Sequence, residues 1–196
     1  MEIKEYFSIF NSSLSKVDEQ SIKKMIEELY TAYENDKMIF VIGNGGSAAN
    51  ASHFAQDLSK GVLLDQSINK RIRALSLTDN IAYITALAND DGYEKIFIAQ
   101  MRTFSQAGDL LIVISGSGNS PNVIEAVNFA KRNGIKVIGV TGYDGGKLKE
   151  LADLSVHVPL NEMCMAESVH SVIFHYVISS LRTKLTGEKF DSSCFS

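Results

Sequence analysis

The stretch Met38–Leu58 reads MIFVIGNGGSAANASHFAQDL: an apolar run, Met38–Ile42, passes into the turn Gly43–Ser47 and then into a segment with helical patterning. The same order recurs at Asp109–Ala126, DLLIVISGSGNSPNVIEA, where the run Asp109–Ile114 meets the turn Ser115–Ser120 and a second helical segment reaching to about Lys131. Short apolar runs bounded by Gly/Ser clusters are the mark of buried strands, and the lengths between them suit crossover helices. Further strands are expected at Arg73–Leu77, Ile135–Val140 and Leu154–Val158, with helices over about Ile81–Ala88 and Met165–Leu185. Strands and helices alternating at these lengths predict an α/β fold, a parallel sheet flanked by helices on both faces.

Upstream of this pattern, residues 3–34 carry apolar positions at helical spacing, among them Phe10, Leu14, Met25 and Leu29, interrupted at Asp18–Ser21, where a second helix can be capped. The segment 1–35 is expected to be a helical arm that either covers one face of the sheet or contacts another subunit, and the subunit contact is preferred. Residues 186–196 are polar and expected to be a loose tail. With 196 residues, 45% of them hydrophobic, the length suits a single domain over 1–196.

Composition removes several function classes. The net charge is −4, no basic run exceeds a pair such as Lys70–Arg71, and aromatic and basic residues do not interleave, so direct nucleic-acid binding is not expected. The opening MEIKEYFSIF lacks the basic-then-apolar order of a signal peptide, and no apolar run is long enough to span a membrane; a cytoplasmic location with no membrane partner is expected. Cys164 and Cys194 form neither a disulfide framework nor a zinc cluster.

A phosphate group needs several donors aimed at one point, and a glycine-rich turn opening a helix supplies backbone N–H groups together with the positive end of the helix dipole. Both turns add hydroxyls: Ser47 in the first, Ser115, Ser117 and Ser120 in the second. Neither turn has the Gly-Lys-Ser/Thr ending of a P-loop, and Pro121 breaks the dinucleotide pattern in the second. The first turn meets only a loose dinucleotide form, Gly43, Gly45 and Ala48, with Asp65 as the ribose acid, and that reading leaves the second turn unexplained. One such turn could be merely a tight strand–helix connection. Two at the carboxyl ends of strands in one sheet can converge on one ligand, and without a lysine they suit a phosphate monoester better than a magnesium–triphosphate.

IGNGGSAANASHFAQDL, NDDGYEKIF, GDLLIVISGSGNSPNVIEA, KVIGVTGYDGGKLKELAD and AESVHSVIFH, in this order and spacing, resemble the sugar isomerase (SIS) domain family and, within it, the phosphoheptose isomerases, from about Met38 to Arg182. The resemblance implies a flavodoxin-like sheet and a homo-oligomer, usually a tetramer, with active sites at subunit interfaces. It implies that Ser47, Ser115, Ser117 and Ser120, on the backbone of Gly45 and Gly46, hold the phosphate of a sugar such as sedoheptulose 7-phosphate, with Asn44 near the sugar. It also implies interconversion of ketose and aldose phosphates through an enediol in heptose biosynthesis for surface polysaccharide. A zinc or similar divalent ion would be held by a His and a Glu four apart and by a Gln and a His eight apart.

Carried onto this chain, the metal set is His53, Asp57, Glu167 and His175, with Asp57 and His175 as the proton carriers. Asp57 replaces the family's Glu and is one methylene shorter; Glu167 replaces its Gln and adds a charge. A carboxylate displaced by roughly 1 Å can lower a rate on the order of a hundredfold, whereas two imidazoles and two carboxylates remain a sensible donor set for zinc. His53 and Asp57, four apart on a helix, face the same way. A continuous helix would set Glu167 and His175 about 12 Å apart, so both reach one ion only if their side chains lean together or the helix starts after Glu167, and His170 is then a substitute ligand or supporting partner. Asp79 and Asn80 are the two alignments of a substrate-contacting acidic position, and His157 is read as structural. The competing function is a non-catalytic SIS protein that binds a sugar phosphate or regulates a partner, as members associating with a replication initiator do; it would keep the serines and need no ion.

Overall fold

The structure, a computed structural model, describes residues 2–65 and 67–188. Helices α1 (Ile3–Leu14) and α2 (Glu19–Glu34) form the arm, and Asp18 caps α2 by accepting from the N–H groups of Gln20 and Ser21. Strand β1 (Met38–Gly43) leads into α3 (Gly46–Gln56), which ends in a π-helical turn over Asp57–Gly61. There follow β2 (Arg73–Ser76), α4 (Ile81–Asp90), a 3-10 turn over Tyr93–Lys95 and α5 (Ile98–Phe104). The chain continues with β3 (Leu110–Ser115), α6 (Pro121–Arg132), β4 (Lys136–Thr141), α7 (Gly146–Leu151), β5 (Leu154–His157) and α8 (Met163–Thr186).

Among the described residues five strands form one sheet, all parallel, in the order β2-β1-β3-β4-β5. This is the flavodoxin-like arrangement, in which the order of strand addition reverses between β1 and β3. Side-chain alternation divides the core in two. Ile39, Val41, Leu110, Ile112 and Ile114 face α2, α3 and α8, while Phe40, Ile42, Leu111 and Val113 face α5, α6 and α7. On the first face, Phe54 of α3 stacks on Phe174 of α8 at 4.3 Å between ring centroids.

Some elements differ from the expected ones. The expected third strand begins at Leu110 because Asp109 is diverted: its carboxylate accepts from Met38 N–H at 3.0 Å and Gln106 N–H at 2.7 Å. Helix α8 begins two residues earlier than expected, at Met163, because Glu162 caps it through the N–H groups of Cys164 and Met165. Helices α5 and α7, seven and six residues long, are too short for periodicity to reveal. Most of the expected loose tail, residues 189–196 with Cys194, lies outside the described residues. Among the described residues no helix is long and apolar enough to cross a membrane.

Candidate active site

Because β1 and β3 are neighbours, with Gly43 in register with Ile114, the two Gly/Ser turns leave the sheet side by side. Between them lies a cavity of about 290 Å³ lined by Asn44, Gly45, Gly46, Ser47, Ser115, Gly116, Ser117 and Ser120, closed by Ile114, Met163 and Glu167. Among its described lining residues there is no lysine or arginine. Gly45 takes φ 57 and ψ −124 at the start of α3, a conformation that side chains disfavour. In the second turn Gly118 N–H donates to Ser115 Oγ at 3.1 Å, and Gly142 N–H donates to Gly116 O at 2.9 Å, which fastens the turn to the end of β4.

Helices α3 and α8 run side by side in the same direction. Ser47 Oγ donates to Glu167 Oε1 at 3.4 Å, Ser171 Oγ donates to Asn50 Oδ1 at 2.7 Å, and Phe54 meets Phe174. The pairs climb both helices together and create two levels. The lower level is the cavity with Ser47 and Glu167. At the upper level His53 Nε2 lies 3.4 Å and His175 Nε2 3.8 Å from Asp57 Oδ2, and one donor atom from each of the three residues falls within 4.8 Å of the others. The π-helical turn carries Asp57 at its first position, where the Asp57 carbonyl accepts from Val62 N–H. Such turns often mark functional sites.

Of the four expected metal ligands, His53, Asp57 and His175 come together and Glu167 does not. Since α8 is continuous from Met163, Glu167 stays about 12 Å below His175 and joins the lower cavity, its carboxylate packed on Gly46. His170 is not a substitute ligand either: it is fully buried, with Nε2 3.2 Å from the Thr141 carbonyl oxygen. Burial holds its pKa down to about 4, partly opposed by that carbonyl and reinforced by His157. His157 pairs with Thr141 Oγ1 at 3.0 Å; burial, then Lys149, lowers its pKa against the pull of Asp144.

Of the two alignments at the acidic position, Asn80 caps α4 through Tyr83 N–H, while Asp79 accepts from Ser52 of α3 and from Thr78 Oγ1. Three residues at the site were not singled out in sequence. Met163 closes the cavity, and Asn122 and Tyr93 hold Asn44. Asn122, two residues after the turn, was within reach of a motif reading; Met163 and Tyr93 carry no local signal.

A parallel sheet with paired serine turns over one cavity, and a His/Asp cluster above it, fits a sugar-phosphate-binding domain, and the chain belongs to the SIS domain family, whose model matches residues 5–142. Within that family it groups with the phosphoheptose isomerases. It is 39% identical to the phosphoheptose isomerase of Helicobacter pylori strain P12, over 83% of this chain and 81% of that one, and 35% identical to that of Aliarcobacter butzleri, over 94% and 97%. Among solved structures, the phosphoheptose isomerase of Neisseria gonorrhoeae superposes with a TM-score of 0.84 at 32% identity, covering 92% of this chain and 97% of the other.

Proposed function

We infer that the protein is an isomerase that interconverts sedoheptulose 7-phosphate and an aldose heptose 7-phosphate, supplying heptose for surface polysaccharide. The observation that carries this reading is the two-level site on α3. The helix start faces the phosphate cavity, and His53, seven residues on, stands about 10 Å further along the axis, a separation that a chain of several carbons can bridge. The phosphate would rest on Ser47, Ser115, Ser117 and Ser120 and the loop backbone, leaving C1 and C2 at the His/Asp cluster.

The donor set of the cluster, two imidazoles and one carboxylate with atoms within 4.8 Å, fits zinc or a similar divalent ion, held by His53, Asp57 and His175. When bound, such an ion polarises a carbonyl or hydroxyl of the sugar. The proton work falls to the chain's own residues. In the ketose-to-aldose direction Asp57, through the carboxylate oxygen not used to hold the ion, takes a proton from C1 and returns one to C2, while His175, through the ring nitrogen not used to hold the ion, gives a proton to the oxygen on C2 and removes one from the oxygen on C1. Asp57 is suited to the carbon because its carboxylate reaches both imidazoles and is only partly exposed.

A non-catalytic regulatory role is not favoured, since such a role needs no His53–Asp57–His175 cluster and the similar curated proteins are named as isomerases. A homo-oligomer is supported by the apolar side chains left exposed on the arm and on α8, namely Ile3, Phe7, Val172 and Tyr176, and the tetramer as its form rests on the family resemblance alone. We place the enzyme in the cytoplasm, where phosphorylated sugars are at hand. Purified protein given sedoheptulose 7-phosphate tests the reading: formation of the aldose, lost on chelation and restored by zinc, supports it, and binding without turnover in zinc-replete protein overturns it.

A further inference from the structure

Asn44, Asn122 and Tyr93 form a closed set of hydrogen bonds between the two turns. Val123 N–H donates to Asn122 Oδ1 at 2.9 Å, and because a backbone N–H can only donate, this bond fixes which end of the Asn122 amide is oxygen. Its nitrogen therefore faces Asn44 and donates to Asn44 Oδ1 at 2.9 Å, while Asn44 Nδ2 donates back to Asn122 Oδ1 at 3.0 Å. The Tyr93 hydroxyl donates to Asn44 Oδ1 at 3.0 Å. Both amide oxygens then have two donors each, which fills their lone pairs. Asn44 retains one unused N–H. Asn44 lines the phosphate cavity, whereas Asn122 is 1% exposed.

We propose that Asn122 is a positioning residue: it holds the Asn44 amide so that an N–H, and never the carbonyl oxygen, faces the bound sugar phosphate, with Tyr93 as the outer latch. The chain of orientation runs from a backbone N–H through a buried amide to the ligand. The group recognised is an oxygen of the substrate with a free lone pair. This inference rests on the isomerase reading above.

The test is steady-state kinetics on sedoheptulose 7-phosphate with Asn122→Leu, Asn44→Ala, their double variant and Tyr93→Phe, alongside thermal unfolding. A single positioned hydrogen bond made equally in ground and transition states predicts that Asn122→Leu and Asn44→Ala each raise KM about tenfold with kcat within about threefold. The double variant is expected within about twofold of Asn44→Ala, because once the Asn44 amide is gone Asn122 has nothing to orient. Tyr93→Phe changes an exposed residue and serves if Asn122→Leu fails to fold; it is expected to raise KM about threefold in the wild-type background and not at all beside Asn44→Ala. A purely structural Asn122 would lower the melting temperature and kcat without raising KM. Wild-type KM in both Asn122→Leu and Tyr93→Phe, or a double variant another tenfold worse than Asn44→Ala, overturns the inference. An inactive wild-type enzyme overturns the isomerase reading, and the orienting role with it.

Discussion

The imidazole rings of His53 and His175 meet edge to face, their centroids 5.1 Å apart, although they stand on helices far apart in the chain. Each is the sequence neighbour of a stacked phenylalanine, Phe54 and Phe174. The core stack thus sets the spacing of the two candidate ligands, and apolar packing does the work of aligning polar chemistry.

Phe174→Ala removes one side of that stack and leaves a cavity in the core, at a cost on the order of 3 kcal/mol in denaturant unfolding. It also frees α8 to shift against α3. Zinc affinity, measured by competition with a chromogenic chelator, is expected to fall about tenfold or more, as it does when supporting residues around a metal site are lost.

Glu167 places a carboxylate in the cavity proposed to take the phosphate, which is lined by no described cation. Like charges at such separations near water oppose each other by about 1 kcal/mol. Glu167→Gln is therefore expected to bind inorganic phosphate roughly fivefold more tightly in titration calorimetry, with the largest gain at low salt.

The glycines of the first turn are separable. A Cβ on Gly43 would stand 2.6 Å from the Ser47 carbonyl oxygen and 3.0 Å from that of Ile114, backbone on both sides, so Gly43→Ala must push the turn off the sheet. We expect a loss of about 2 kcal/mol in stability and a clear loss of phosphate binding. Gly45 has open space around it and only its positive φ to defend, so Gly45→Ala is expected to cost about 1–3 kcal/mol of backbone strain.

His170 makes stability depend on pH. Its ordinary value near 6.5 is held down to about 4 by burial. Between those values the unfolded chain carries the proton and the folded chain does not, so stability rises with pH across this window and is withdrawn as the solution is acidified through it. The contribution is on the order of 3 kcal/mol. His170→Gln is expected to flatten the melting temperature between pH 4 and 6.5 relative to wild type.

The repeated strand–turn–helix units made the α/β class and the paired turns readable, because a buried parallel strand is a continuous apolar run and a βα turn is rich in glycine. His53 and Asp57 were legible as a pair for a local reason, four residues on one helix. The place of Glu167 was not: whether it reaches His175 or Ser47 depends on how α8 lies against α3, which is settled by Phe54, Phe174 and Asn50 together. Tyr93 was hidden for the same reason, since it reaches Asn44 across the fold. The short helix α7 lacked enough turns to show a period.

The most direct test of the site is proton exchange at carbon, followed by NMR in deuterium oxide with sedoheptulose 7-phosphate and zinc-replete protein. The wild type is expected to wash deuterium into C1 of the ketose and C2 of the aldose. Asp57→Asn, folded and still binding inorganic phosphate, is expected to show exchange slowed at least about a hundredfold, the loss typical of removing a general base. Exchange at the wild-type rate in Asp57→Asn would contradict the assignment of Asp57 as the base at the two-level site.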